Sequence, residues 1–203
     1  QGQRFTDEGV TTIDEQYEEV ARKIFYNCED HIAYMITDQT IYDIPNYEEA
    51  LQTDIPAIVA DTLEELAHKI GVPAESLVET VTTFNGACPE GEFIYNKMDG
   101  LATTGLALNK SNWSIPINKG PFIAYPIICC NVFTNGGLAT DVNGRVLTGD
   151  QVAIPGLYAV GETSGVYSGK YPGGTSVLRC LVFGRRAGAD AVRYVSEQEK
   201  SYN

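Results

Sequence analysis

"KYPGGTSVLRCLVFGRRAGADAV", residues 170–192, couples a glycine pair to a Thr-Ser step and then to a long helical run. Glycine opens backbone shapes that other residues avoid, and Thr175 or Ser176 can cap the helix that follows. Val177, Leu181, Gly184, Gly188, Ala191 and Val195 recur at three- and four-residue spacing as one apolar stripe, while Arg179, Arg186 and Arg193 share another face. The spacing predicts an amphipathic helix that lays its apolar stripe on a sheet. Its first N–H groups and positive dipole end are open either to water alone or to an anionic or hydrogen-bonding ligand.

Just upstream, "IPGLYAVGE" reads as a buried strand over 154–160 that ends at Gly161 and Glu162. Strand, Gly-Glu turn, glycine-rich loop and helix follow one another as they do at the C-terminal edge of a nucleotide-binding sheet. Before that strand, Asn143-Gly144 signals a hairpin between Ala139–Val142 and Arg145–Leu147. "PFIAYPIICCNVFT", from Pro121, is apolar on both faces and strand-like. Further back, 96–120 is a long Gly-, Asn-, Ser- and Pro-containing tract with no packed element of its own, a length more typical of binding loops than of connectors. The N-terminal part reads as helical. One helix starts near Thr11, with Tyr17, Val20, Ala21, Ile24 and Phe25 on one side. A second is "DTLEELAHKIGVP", with Asp61 or Thr62 as cap and Gly71 and Pro73 past its end, and a third carries Leu77, Val81 and Phe84. "HIAYMITDQTI", from His31, reads as a strand. The fold class expected is α+β.

A chain of 203 residues, 43% hydrophobic and 20% charged, can bury a real core. Its net charge of −13 and lack of a basic stripe argue against nucleic acid as a partner. The charge is uneven: 21 acidic against 7 basic residues in 1–132, but 6 against 7 in 133–203, which predicts two units meeting near residue 132. No membrane-spanning run or leader pattern is seen, and the odd set Cys28, Cys88, Cys129, Cys130 and Cys180 suits a reducing cytoplasm. With only His31 and His68, both read as surface or partly buried helix residues, no metal site and no Ser-His-Asp triad is expected.

"PGLYAVGE" followed by "YPGGTS" and "FGRRAGADA" resembles the closing segment of the flavoproteins related to fumarate reductase, succinate dehydrogenase and 3-oxosteroid 1-dehydrogenase. "QRFTDE", "DTLEELAHKIGVP" and "FNGA" are similar to that group's substrate-capping domain, and "DGLATTGLALNKSNWS", "PFIAYPI" and "FTNGGL" to its tricarballylate dehydrogenase subgroup. The resemblance implies a capping domain over 1–132 and, over 133–203, the C-terminal segment of a Rossmann-like FAD-binding domain. The GxGxxG unit for the FAD pyrophosphate occurs nowhere in the 203 residues, so the resemblance implies that the N-terminal FAD-binding half lies elsewhere. This chain alone would then carry no FAD and be inactive, and its apolar stripe would repack on the cap, pair with a second copy or leave the tail disordered.

The same resemblance implies that Gly161 and Glu162 meet the ribityl or ribose of FAD, and that Gly173, Gly174, Thr175 and the amides of Ser176, Val177 and Leu178 face the flavin ring. A helix dipole there favours negative charge on the reduced ring. Glu162 can equally be an ordinary turn residue. Phe133 and Tyr171 stand where fumarate reductases carry His and Arg, which argues against fumarate reduction. Tyr171 either hydrogen-bonds substrate oxygen and moves a proton, or merely packs in a tight turn. Where the resemblance puts the proton-transferring arginine of fumarate reductases, the sequence offers the catalytic candidate Lys110, which either binds a carboxylate instead or lies exposed. Arg4, Phe133, Thr134, Lys170 and Arg179 complete the expected substrate set, in which Arg4, Lys170 and Arg179, with Lys110, are the cations suited to carboxylates. The activity implied is dehydrogenation of a small polycarboxylate, tricarballylate to aconitate, by proton abstraction and hydride transfer, with an acceptor protein or quinone and a homo-oligomer as further partners. The alternatives are a 3-oxosteroid-type dehydrogenase and a non-catalytic binding module.

Overall fold

The computed structural model describes all residues except Gln52, Val132, Phe133, Lys170, Pro172, Tyr202 and Asn203, and leaves aside the side chains of Ile13 and Asp14. The chain divides into two compact units, Gln1–Cys130 and Asn131–Asn203.

The first unit is built on a three-stranded antiparallel sheet in which β3 (Phe122–Ile128) lies between β1 (Ile32–Asp38) and β2 (Ile58–Ala60). Ile32 pairs with Ile128 and Asp38 with Phe122, while Ile58 pairs with Ala124. Helices α3 (Leu63–Ile70) and α4 (Ala74–Ala87) contribute Leu66, Ala67, Ile70, Leu77 and Val81 to a core shared with Ala60 and Ala124. Their limits follow the sequence. Thr62 accepts the amide of Glu65 and is the cap of α3, the Glu65 carboxylate returns to the Asp61 amide, and Gly71 ends the helix at φ 73°. Helix α1 (Ile13–Asn27) buries Ile24, but Phe25, read as one of its inward residues, is exposed. The short α2 (Tyr47–Leu51) and β2 have too few residues to show a period and escape a sequence reading.

No helix or strand forms between Cys88 and Pro121, as composition predicts, yet the tract is firmly tied. The Asp99 carboxylate accepts the amides of Leu101 and Trp113, and the Asn85 side chain both donates to and accepts from the backbone of Ile117. Asp38 accepts the amides of Asn118 and Lys119 as well as the amide and hydroxyl of Thr40. Ser114 and Thr103 are buried within the tract.

The second unit holds a two-stranded antiparallel ribbon, β4 (Arg145–Leu147) and β5 (Ala153–Tyr158), and the 27-residue helix α5 (Thr175–Ser201). The hairpin at Asn143-Gly144 forms as predicted: Thr140 bridges Val146 and the Gly144 amide returns to Asp141. Loop 136–138 lies against 163–165, with the Leu138 amide on Thr163 and the Gly165 amide on Leu138. The approach requires glycine at Gly137, where a Cβ would stand 2.5 Å from the Thr163 carbonyl oxygen.

Two sequence expectations fail in this unit. Strand β5 ends at Tyr158 and is not buried, since Leu157 and Val160 are exposed. Helix α5 does not bury its predicted apolar stripe, and of its predicted polar face only Arg179 turns inward, Arg186 and Arg193 staying exposed. Val177, Leu181 and Val195 are exposed, whereas Arg179, Ala187 and Asp190 are buried. The cause is a polar network. Asp190 receives Arg145 through Nε and Nη2 at 2.5 and 2.7 Å, the Tyr158 hydroxyl at 2.9 Å and Arg193 at 2.8 Å. Arg186, on the rim of the same face, donates to the Val142 carbonyl. A stripe of hydrophobicity decides burial only where an apolar surface meets it; here the ribbon offers hydrogen-bonding partners instead.

Candidate functional site

Residues that the sequence singles out gather at two places, one in each unit. In the second, the phenol of Tyr171 closes over the start of α5: the Ser176 amide donates to Tyr171 Oη at 3.0 Å, and the Ser176 hydroxyl shares a hydrogen bond with it at 2.7 Å. Gly174 precedes the helix at φ 74°, with open space where a Cβ would project. Tyr167 donates its hydroxyl to the Thr175 carbonyl at 3.3 Å. The Ser176 hydroxyl, followed by its amide, holds the Tyr171 phenol below its ordinary pKa, because both donate to the phenolate form. Of the amides expected to face a ligand, that of Ser176 is therefore engaged by Tyr171. Val177 remains in the first turn, and Leu178 falls where helix geometry returns N–H groups to carbonyls four residues back.

Gly161 starts a 3-10 turn at φ 67°, and Glu162 follows with its carboxylate exposed. Arg179, expected among the substrate cations, is instead buried against Glu162 and Tyr167. Its Nη2 is 3.8 Å from Glu162 Oε1, and its guanidinium stacks 5.0 Å from the Tyr167 ring centre. Gly173 and Thr134 are exposed. Phe133 and Lys170 lie outside the described residues.

In the first unit, Arg4 and Lys110 converge on Glu8. Arg4 Nη2 meets Glu8 Oε2 at 2.8 Å, and Lys110 Nζ approaches Oε1 at 3.4 Å. Arg4 also donates to the Leu108 carbonyl at 2.8 Å and lies over the Phe84 ring. Lys110 is set by Thr103, whose hydroxyl accepts the Lys110 amide at 2.7 Å and whose own amide donates to the Lys110 carbonyl at 2.9 Å. Burial raises the Glu8 carboxyl, but the charges of Lys110 and Arg4 outweigh it and keep the group ionised. Two cations meet on the Glu8 carboxylate, and the Asp7 carboxylate also feels the charge of Arg4, so the cluster is close to neutral. Asp7 and Asn112 pin the two segments, through the Ser111 amide and the Gly9 carbonyl. Glu8 was legible as the fifth residue of "RFTDE", an i,i+4 partner for Arg4, but Tyr167 left no comparable signal.

Among the described residues no group of three or more His, Cys, Asp or Glu side chains is placed to hold a metal ion, and no helix is long and apolar enough to cross a membrane.

A protein-family model described as the FAD binding domain matches residues 1–178. This chain belongs to that family. As a member of the FAD binding domain family it is 33% identical over 197 residues to the NADH:acrylate oxidoreductase of Vibrio harveyi, covering 94% of this chain and 18% of that one. It is also 36% identical over 154 residues to a 3-oxosteroid 1-dehydrogenase of Mycolicibacterium smegmatis, covering 70% of this chain and 26% of that one. Among solved structures, a flavocytochrome c3 fumarate reductase in an open conformation matches with a TM-score of 0.73 at 25% identity, over 95% of this chain and 31% of that one. The chain thus spans no more than about a third of the length of these relatives. The FAD binding domain family carries the α+β architecture seen in both units.

Proposed function

We propose that this chain supplies the substrate-capping domain and the ring-facing segment of an FAD-dependent dehydrogenase that works in the cytoplasm on a C–C bond beside an electron-withdrawing group. The observation that carries the reading is the Tyr171 phenol held on the amide of Ser176 at the start of α5. The residues present fit part of the cofactor: nothing stands where a Cβ would project from Gly174, and buried Arg179 nitrogens lack partners. Glu162, Gly161, Gly173, Gly174 and Val177 would hold the ring and ribityl end, while Ser176 acts through Tyr171. Residues outside these 203 would supply the pyrophosphate loop, since no GxGxxG occurs among them. FAD, when bound, accepts the hydride.

Tyr171 orients a substrate oxygen and holds a proton there, its acidity raised by the donors from Ser176. Arg4 and Lys110, linked through Glu8, anchor a substrate carboxylate. A small polycarboxylate of the tricarballylate type is the substrate this cation pair favours. The position of Tyr171 favours a second reading, a 3-oxo substrate whose keto oxygen takes the phenol hydrogen bond, which agrees with the oxosteroid relative.

The test is steady-state kinetics of the complete flavin-loaded enzyme with an artificial acceptor, using tricarballylate and a 3-oxosteroid. Tyr171→Phe should lower kcat about 10- to 1000-fold without loss of flavin. Lys110→Ala should raise KM for the polycarboxylate only. Near wild-type kinetics in both variants sink the reading, and turnover of the 3-oxo compound alone selects the second one.

A further inference from the structure

Arg179 is left incomplete by its own unit. Its side chain is 2% exposed, yet Nε and Nη1 have no hydrogen-bond partner. Nη2 sits 3.8 Å from Glu162 Oε1, close enough for attraction but too long for a hydrogen bond. Tyr167 covers one face of the guanidinium and ties itself to Thr175 in the first turn of α5. Arg179 therefore lies in the second turn from the positive end of a 27-residue helix, the end at which a cation is electrostatically misplaced. Asp190, the other buried charge of the same helix, shows the contrast, with Arg145, Tyr158 and Arg193 all hydrogen-bonded to it. A buried, under-bonded cation beside a helix N-terminus is held at a loss unless a further negative charge completes it.

We propose that Arg179 is a potential-setting cation: together with the start of α5 it stabilises the negative charge that hydride transfer creates on a bound flavin. This rests on the flavin reading above. A bound flavin would take the hydride and its two electrons from the substrate carbon as the adjacent carbon loses a proton and the C=C bond forms. A ring so reduced would carry one more negative charge than before, which the Arg179 cation would stabilise. Glu162, exposed and at ion-pair distance, offsets part of that cation's charge and leaves Nε and Nη1 without hydrogen bonds. The same cation could instead meet a substrate carboxylate, and the two sources leave different traces.

The experiment compares the complete flavin-loaded wild type with R179M and R179K, reading the flavin reduction equilibrium against a reference dye, KM for the substrate, and far-UV circular dichroism. R179M should shift the reduction equilibrium about tenfold toward the oxidised form, with KM within about twofold, while R179K, which keeps the charge, should recover most of the shift. An unchanged equilibrium in folded R179M overturns the proposal, and so does a rise in KM alone, which would give Arg179 to the substrate. If R179M fails to fold, R179Q takes its place, and the same equilibrium shift is required of it. A wild type that holds no flavin removes the flavin reading and this inference together.

Discussion

At the scale of single residues, buried carboxylates act as clips for irregular backbone. Asp38 is 1% exposed and accepts four donors, two from Thr40 and two from the backbone of Asn118 and Lys119. Burial raises its carboxyl, yet the bonds from Thr40, Lys119 and Asn118 outweigh that and hold it below the usual carboxylate range. Asp38→Ala strands several donors at once and should destabilise the first unit by about 2–4 kcal/mol, measured by urea unfolding. A loss under about 0.5 kcal/mol, the scale of an ordinary surface change, would show that water replaces the carboxylate without cost. None of this was legible in "MITDQT", because half of the partners of Asp38 sit in a tract that the sequence marks only as loop. The candidate site was readable to the same partial extent. Arg4, Lys110 and Tyr171 stand out by residue type and motif, but their companions Glu8 and Tyr167 depend on how loops return, which no local period encodes.

Among the elements, α3 and α4 were readable because their caps and apolar rails agree with each other and with a shared core: Thr62, Gly71 and the triad Leu77, Val81 and Phe84 all stand where the sequence puts them. Helix α5 was readable in extent but not in orientation. Its apolar side is the stronger pattern, yet the Arg145–Asp190–Tyr158 cluster turns Asp190 inward and leaves Val177, Leu181 and Val195 exposed. That cluster makes its docking sensitive to acid. The hydrogen-bonded Arg145 guanidinium is the main cause that holds the Asp190 carboxyl down to about 2. A carboxyl lowered in the folded state adds stability above its ordinary value and loses it as pH falls through the folded one. Thermal stability of the second unit should therefore drop between about pH 4 and pH 2, while Asp190→Asn should begin lower at pH 6 and change less across that window. Parallel curves for the two proteins, followed by near- and far-UV circular dichroism, would remove Asp190 from the account.

Across the whole molecule, the step in charge near residue 132 and the division at Cys130 and Asn131 fall close together, although the charge step says nothing about which strands pair. Pairing was hidden because β2 is three residues long and its partner is far along the chain. Strand β3 is the last element of the first unit, yet it is the middle strand of the sheet. Neither β1 nor β2 has a neighbour until Phe122–Ile128 arrives, and no tight hairpin brings it there. The consequence is temporal. Folding must close the stretch between Ala60 and Phe122, close to half of the unit, before any ladder forms, which places the unit among slow, non-local folders. On a ribosome the helices would wait, half-packed, for one late strand. A chain stopped at Gly120 should keep helical circular dichroism but lack the cooperative melt expected of residues 1–130, and a sharp transition in the shorter chain would show that the helices close a core without the sheet.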